Sequence, residues 1–167
     1  PPGELRFYKL NYQYQYWLPL GRDNALMLNT NLGWAKGYGG KPVPFYKNFY
    51  AGGIGSVRGF EQSSLGRRTA DDDPIGGTRL VVGNVEYYFP LPGSGSDRTF
   101  RTSLFFDAGY VWDEDEDLDF GQLRYSTGLA FSWSSPLGPL KFSFGFPLNA
   151  ESGDDVQRFQ FQFGSVF

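Results

Sequence analysis

The sequence predicts an all-β protein, an antiparallel transmembrane β-barrel segment of about seven to eight strands of a larger barrel. Three observations predict it. Apolar and polar residues alternate with a period of two over long stretches. The apolar half of that alternation is loaded with Phe and Tyr, and aromatics make up 19% of the chain. The connections alternate in character, short Pro/Gly/Ser-rich turns against long or acidic loops, as external and periplasmic connections do in outer-membrane barrels.

In chain order, "YKLNYQYQYWL" sets Tyr8, Leu10, Tyr12, Tyr14 and Tyr16 against Lys9, Asn11, Gln13 and Gln15. "NALMLNTNLGW" sets Leu26, Leu28, Leu32 and Trp34 against Asn29, Asn31 and Gly33. "RLVVGNVEYYF" sets Val81, Val85, Tyr87 and Phe89 against Asn84, Glu86 and Tyr88. "FRTSLFFDAGYVW" sets Phe100, Leu104, Phe106, Tyr110 and Trp112 against Arg101, Ser103, Asp107 and Gly109. "LRYSTGLAFSW" sets Leu123, Tyr125, Leu129, Phe131 and Trp133 against Arg124, Ser126, Gly128 and Ser132. "LKFSFGF" sets Leu140, Phe142, Phe144 and Phe146 against Lys141, Ser143 and Gly145. The last run, Val156–Phe167, sets Phe159, Phe161, Phe163 and Phe167 against Gln160, Gln162 and Gly164.

Each run is long enough to cross a bilayer when tilted, which takes about 9–11 residues. A soluble sandwich also alternates, but its buried face tends to Val, Ile and Leu. Here the apolar face is aromatic, and Trp17, Trp34, Trp112, Trp133 and Phe167 stand at strand ends, as in an interfacial girdle. The amide-rich opposite face suits a wet lumen. Seven strands are too few and odd in number for a closed bacterial barrel. Unpaired edges in lipid cost several kcal/mol per polar group. The sheet is therefore expected either to be part of a larger barrel or to pair with another chain through its edges.

Composition removes several function classes. With no Cys and no His, thiol nucleophiles, disulfides, His-based triads and the usual zinc sites are absent. A net charge of -3 offers nothing to nucleic acid. No run of 18 apolar residues makes a membrane helix. The opening "PPGELRFYKL" lacks a signal peptide and reads as a start inside a longer protein.

The least periodic stretch is "FYAGGIGSVRGFEQSSLG", within the long connection 36–77. Its glycines have the wrong spacing for a dinucleotide fingerprint, and no Gly-Lys-Ser/Thr makes it a phosphate loop. Gly52, Gly53, Gly55 and Gly59 permit close backbone approach, so the loop is expected to pack against something. The acidic run "DEDEDLDFG" fails the helix–loop–helix calcium pattern, because Leu118 and Arg124 occupy the Gly and Glu positions. It reads as a solvated external loop. Glu86 and Asp107 share the polar face of adjacent strands. Without a nucleophile and base beside them they read as receptors for an arginine rather than as an acid–base pair.

Four segments resemble the BamA family, the central barrel proteins of outer-membrane β-barrel assembly. They are "PFYKNFYAGGIGSVRGF", "FFDAGYVWD", "SWSSPLGPLKFSFGFPL" and the terminal "QFQFGSVF". The resemblance covers essentially the whole chain. It implies a barrel of ~16 strands, preceded by periplasmic domains that bind nascent substrates and lipoprotein partners. Residues 1–167 would then be the C-terminal part of that barrel, with the external loop 36–77 carrying Val57, Arg58, Gly59 and Phe60. The loop is implied to fold into the lumen, with Arg58 meeting Glu86 and Asp107 on the wall. Phe159, Phe161, Phe163, Gly164 and Phe167 match a C-terminal insertion signal.

The implied function is insertion of outer-membrane proteins, in the outer membrane of a Gram-negative bacterium, through a weak seam to which the last strand contributes one side. The implied partners are outer-membrane lipids, lipopolysaccharide, nascent outer-membrane proteins and the lipoproteins of the assembly machinery. No catalytic residue, metal or cofactor is expected. The rival within the same superfamily is a translocation pore of two-partner secretion or autotransporter assembly. The longer "FYKNFYAGG" lead-in and the "SPLGPL" turn favour the insertase.

Overall fold

The computed structural model describes residues 4–93 and 99–164. Seven long or medium strands make one antiparallel sheet in sequential order. They are β1 (Phe7–Pro19), β2 (Ala25–Gly37), β4 (Arg79–Pro90), β5 (Phe100–Trp112), β6 (Arg124–Ser135), β7 (Gly138–Pro147) and β9 (Phe159–Phe163). Two short strands, β3 (Gly59–Phe60) and β8 (Val156–Gln157), pair with each other in a separate ladder. The sheet is not closed: β1 and β9 are its edges. Among the described residues the only helical pieces are single 3-10 turns at Phe45–Lys47 and Phe120–Gln122.

Period-two sequence forces this sheet to have two unlike faces. On the outer face Leu104, Phe106, Leu129, Phe144, Phe146, Phe159 and Phe161 are all exposed, Phe161 to 63%. Their rings stack across strands, Phe142 lying against Phe159 and Phe161, and Phe131 against Phe100 and Phe142. So large an apolar surface is stable only against something other than water. On the inner face the amides make a row. Asn11 donates to Asn31, Asn29 to Asn84, and Asn84 to Asp107.

The inner face is polar only in part. Towards the loop-bearing end it turns apolar at Ala35, Leu80, Val82 and Val111, and the 38–78 connection folds over these residues. Val57, Phe60 and Leu65 of that connection are fully buried there. Each such side chain contributes about 1.5–3 kcal/mol of transfer free energy. The loop therefore has a hydrophobic footing of its own, and the core of the molecule sits between loop and wall.

Two expectations are corrected. Trp112 belongs to no exposed girdle: it is fully buried, its ring against Phe120 and its Nε1–H donating to Gln122 Oε1 at 2.8 Å. The acidic 113–123 loop doubles back over it. The last strand is not one run from Val156. It divides at Arg158 into β8, which pairs with the loop, and β9, which pairs with β7. Phe167, expected in the terminal signal, lies outside the described residues.

Candidate functional site

Arg58 reaches the inner wall because the chain on either side of it is fixed. Val57 and Phe60 are buried in the apolar footing, and Gly59 and Phe60 pair with Gln157 and Val156. Gly59 has φ +91°, which an L side chain rarely adopts. Its backbone also lies so close to β7 that an added Cβ would stand 3.2 Å from the Gly145 carbonyl carbon.

Of the expected loop glycines, only Gly59 meets the wall. Gly52 and Gly53, at φ +108° and +102°, turn the loop onto itself, against Glu61 and Gln62. Gly55 faces open space with no positive φ. Gly164, at φ +88°, follows β9 and still donates its N–H to Pro139 O at 2.8 Å.

The Arg58 guanidinium divides its donors between two strands. Nε and Nη2 donate to the two carboxylate oxygens of Asp107 on β5, at 2.7 and 2.8 Å. Nη1 lies 3.0 Å from Glu86 Oε1 on β4. The Arg58 backbone N–H adds a third bond to Asp107, at 3.0 Å. The Phe105 ring lies beneath the guanidinium, 3.7 Å from its carbon. A planar fork makes all of these at once; an ammonium does not.

Two carboxylates face one cation here, and all three side chains are nearly out of solvent: Asp107 is 0% exposed, Glu86 6% and Arg58 7%. Neutral donors offset the surplus negative charge. Asn84 Nδ2 donates to Asp107 at 2.9 Å, and Ser103 Oγ to Glu86 at 2.5 Å. Burial alone pushes the guanidinium pKa down, but the bond to Asp107 and the charges of both carboxylates outweigh it and hold Arg58 above its ordinary value. Beneath the triad opens a polar cavity of 260 Å³ lined by Arg58, Asn84, Glu86, Tyr88 and Ser143, so the inner space is not filled by the loop.

Sequence reading missed three contributors. Phe105 stands on the inward face among small polar residues, where its alternation with Ser103 and Asp107 could have flagged it. Gly145 is inward on β7, and its own Cβ would meet Gly59 N at 2.6 Å and Cα at 2.7 Å. Gln160 is inward on β9 and buried; its amide bonds to the backbone of Gly59 and Phe60.

External ion pairs lash the surrounding loops together. Arg68 joins Asp155 at 2.7 Å, Arg124 joins Asp154 at 2.6 Å, and Arg67 joins Asp113 and Asp115. The first two tie the 148–155 connection to the Arg58 loop and to β6. Within the acidic 113–121 run Asp113 and Asp115 are thus paired, while Glu114, Asp117 and Asp119 are exposed, as a solvated loop requires. Among the described residues no cluster of acidic side chains is arranged to hold a metal ion.

Comparison with known proteins gives a consistent result. The Omp85 superfamily domain matches residues 1–167. The chain is 39% identical to outer membrane protein assembly factor BamA of Neisseria meningitidis, over all of this chain and 25% of that protein. It is 33% identical to BamA of Nitratidesulfovibrio vulgaris, over 99% of this chain and 21% of that protein. A more distant similarity, 27%, is to the mouse sorting and assembly machinery component 50 homolog. The crystal structure of Haemophilus ducreyi BamA lacking POTRA domains 1–3 superposes with a TM-score of 0.87 at 31% identity, covering 96% of this chain and 35% of that one. The chain thus spans about a quarter of the length of the bacterial relatives named here.

Proposed function

From a chain that belongs to the Omp85 superfamily, we propose a C-terminal barrel wall, with its loop 36–77, that works in an outer-membrane protein insertase. Its place is the outer membrane, with lipid against the aromatic face and lipopolysaccharide around the external loops. Its substrates are nascent outer-membrane proteins, and assembly-machinery lipoproteins bind through other parts of the same protein. The work is strand pairing, not bond chemistry. Relatives with the highest identities above are named as assembly factors, which favours this reading over a secretion pore.

The observation that carries it is the poor hold on β9. Among the described residues five of β9 pair with β7, whereas β6 and β7 pair over ten. A short, weakly held edge strand with free backbone groups is a template for β-augmentation. Gly145 N–H donates to Arg158 O and Gly164 N–H to Pro139 O, so the even-numbered residues of β9 face β7. Phe159, Phe161 and Phe163 then offer their N–H and C=O groups to the free edge.

The test is the full-length protein in proteoliposomes, with folding of an unfolded outer-membrane protein as readout. Phe161→Pro deletes one free-edge N–H and should abolish most acceleration, while Phe161→Ala retains it. Equal activity of the two variants would sink the reading. The Arg58 site is assigned a bracing role: it fixes the loop across β4 and β5 while substrate strands are handled at the β9 edge.

A further inference from the structure

The seventh strand has two masters. Strand β7 offers Gly138–Pro147; among the described residues β9 pairs with Leu140–Phe144, flanked by the bonds from Gly145 N–H to Arg158 O and from Gly164 N–H to Pro139 O. Over Gly145 the inner side of β7 is occupied by the Arg58 loop, Gly59 lying backbone to backbone on it. The chain ahead of β9 follows the loop instead: Val156 and Gln157 pair with Phe60 and Gly59, and Glu61 N–H donates to Asp155 O at 2.9 Å.

Gln160 joins the two regimes. It stands within β9, opposite Ser143 of β7, and is 5% exposed. Its Oε1 accepts from Gly59 N–H at 3.2 Å and its Nε2 donates to Phe60 O at 2.9 Å. A primary amide carries an acceptor and two donors on one plane. It therefore reads consecutive backbone groups as a neighbouring strand would, and it extends the two-residue β3–β8 ladder by a side-chain rung. Across from it Ser143 Oγ is buried with no hydrogen-bond partner, so a second partner for the amide stands ready when the loop leaves.

We propose that Gln160 is a latch: a positioning residue through which the seat of the Arg58 loop sets how far the edge strand is joined to the sheet. With the loop seated, Val156 and Gln157 are held on the loop, and the pairing with β7 ends at Arg158. With the loop displaced, Gln160 is released towards Ser143, and β9 is free to extend its pairing or to shift register. By linkage, freeing the strand also loosens the loop. The latch stands on the geometry alone; its value to assembly rests on the proposed function.

The test uses the full-length protein in detergent or liposomes and reads amide exchange by mass spectrometry on peptides covering 56–61 and 155–161. Gln160→Leu keeps the volume and removes both bonds. It should raise exchange about tenfold in both peptides. Arg58→Ala, which removes a side chain bonded to β4 and β5 and not to β9, should raise exchange in 155–161 by a similar factor. Combining the two should raise it no further there, because both act through one link. A change confined to each variant's own segment, or effects that multiply, would overturn the latch. Should Gln160→Leu yield no folded barrel, Gln160→Asn shortens the amide by one methylene and is held to the same criterion. Substrate folding is measured separately: exchange coupling without insertion activity in the unaltered protein would dismiss the insertase reading and leave the latch standing.

Discussion

Replacing Gly145 by alanine should unseat the Arg58 loop without touching any of its charges. Gly145 has no positive φ, so alanine fits its backbone. The added methyl, however, would stand 2.6 Å from Gly59 N, 2.7 Å from Gly59 Cα and 2.9 Å from Arg58 C. All three are main-chain atoms held between the footing at Val57 and Phe60 and the β8 ladder, so no side chain can rotate aside. Ordinary contact begins near 3.4 Å, which requires the loop to retreat by about 0.8 Å. The same retreat applied to Arg58 would carry its 2.7 and 2.8 Å bonds to Asp107 out of hydrogen-bond range. Overpacking of this kind costs about 1–3 kcal/mol. If the pair breaks outright, the ceiling is the loss of one partner from a buried ion pair, about 3–5 kcal/mol. The lower range corresponds to an opening equilibrium raised roughly 5- to 150-fold. Amide exchange in peptides covering 56–61 reads it directly. The control is Gly83→Ala, where the new methyl meets nothing within 4 Å. Equal exchange in Gly145→Ala and Gly83→Ala would refute the claim that the loop rests on β7 at this point.

The other expectations concern charge, faces and the loop turn. Arg58→Ala leaves Asp107 and Glu86 buried without their cation and should cost about 3–5 kcal/mol of loop stability, reduced by the adjoining cavity; Arg58→Lys should recover only part, read as protease resistance of the 45–70 segment. Asp107→Asn should be worse than Glu86→Gln by the same readout, because Asp107 takes the paired fork and the Arg58 backbone N–H while Glu86 takes one nitrogen. Phe144→Arg on the lipid face should cost about 2–4 kcal/mol in a lipid refolding titration, against little for Ser132→Arg on the inner face; equal midpoints would invert the face assignment. Gly55→Ala should be silent in thermal unfolding, and Gly53→Ala should not, since only Gly53 needs a positive φ and closes on Gln62.

The sheet was legible because period-two alternation is a direct property of a strand with two unlike sides. All seven runs became strands, and Asn84, Glu86 and Asp107 fell on one face for that reason alone. What alternation could not supply is contact at long range. Leu80, Val82 and Val111 have inward parity but are apolar, and only the loop above them explains why. Trp112 looked like an interfacial aromatic until the following loop covered it. The break at Arg158 leaves only a small mark in "VQRFQFQF": two polar residues in succession, Gln157 and Arg158, move the apolar positions from even to odd. Beyond the bond from Gly145 N–H to Arg158 O the chain leaves β7, and Val156 and Gln157 pair with Phe60 and Gly59 of the loop instead, a partner distant in the sequence. The division of Arg58 between two acids likewise depends on the path of the 38–78 connection, which alternation leaves open.

The triad holds one more carboxylate than it needs, and that excess bears on how the loop works. A matched, fully satisfied pair would hold the loop as tightly as the wall allows. Here a second acid shares a single cation, and the remaining negative charge rests on Asn84 and Ser103, neutral donors that belong to the wall and stay when the loop departs. With Arg58 withdrawn, Asp107 keeps Asn84 and Glu86 keeps Ser103 and its place on the adjoining cavity, which lowers the cost of leaving. The apolar footing of Val57, Phe60 and Leu65 supplies the larger, non-directional part of the hold. The ion pairs add to that hold and set where the loop sits. Near the β9 edge the same division recurs: a short ladder and one amide fix position at small energetic cost. A loop held in this way is firmly placed yet removable, which is what the proposed brace beside the β9 edge requires.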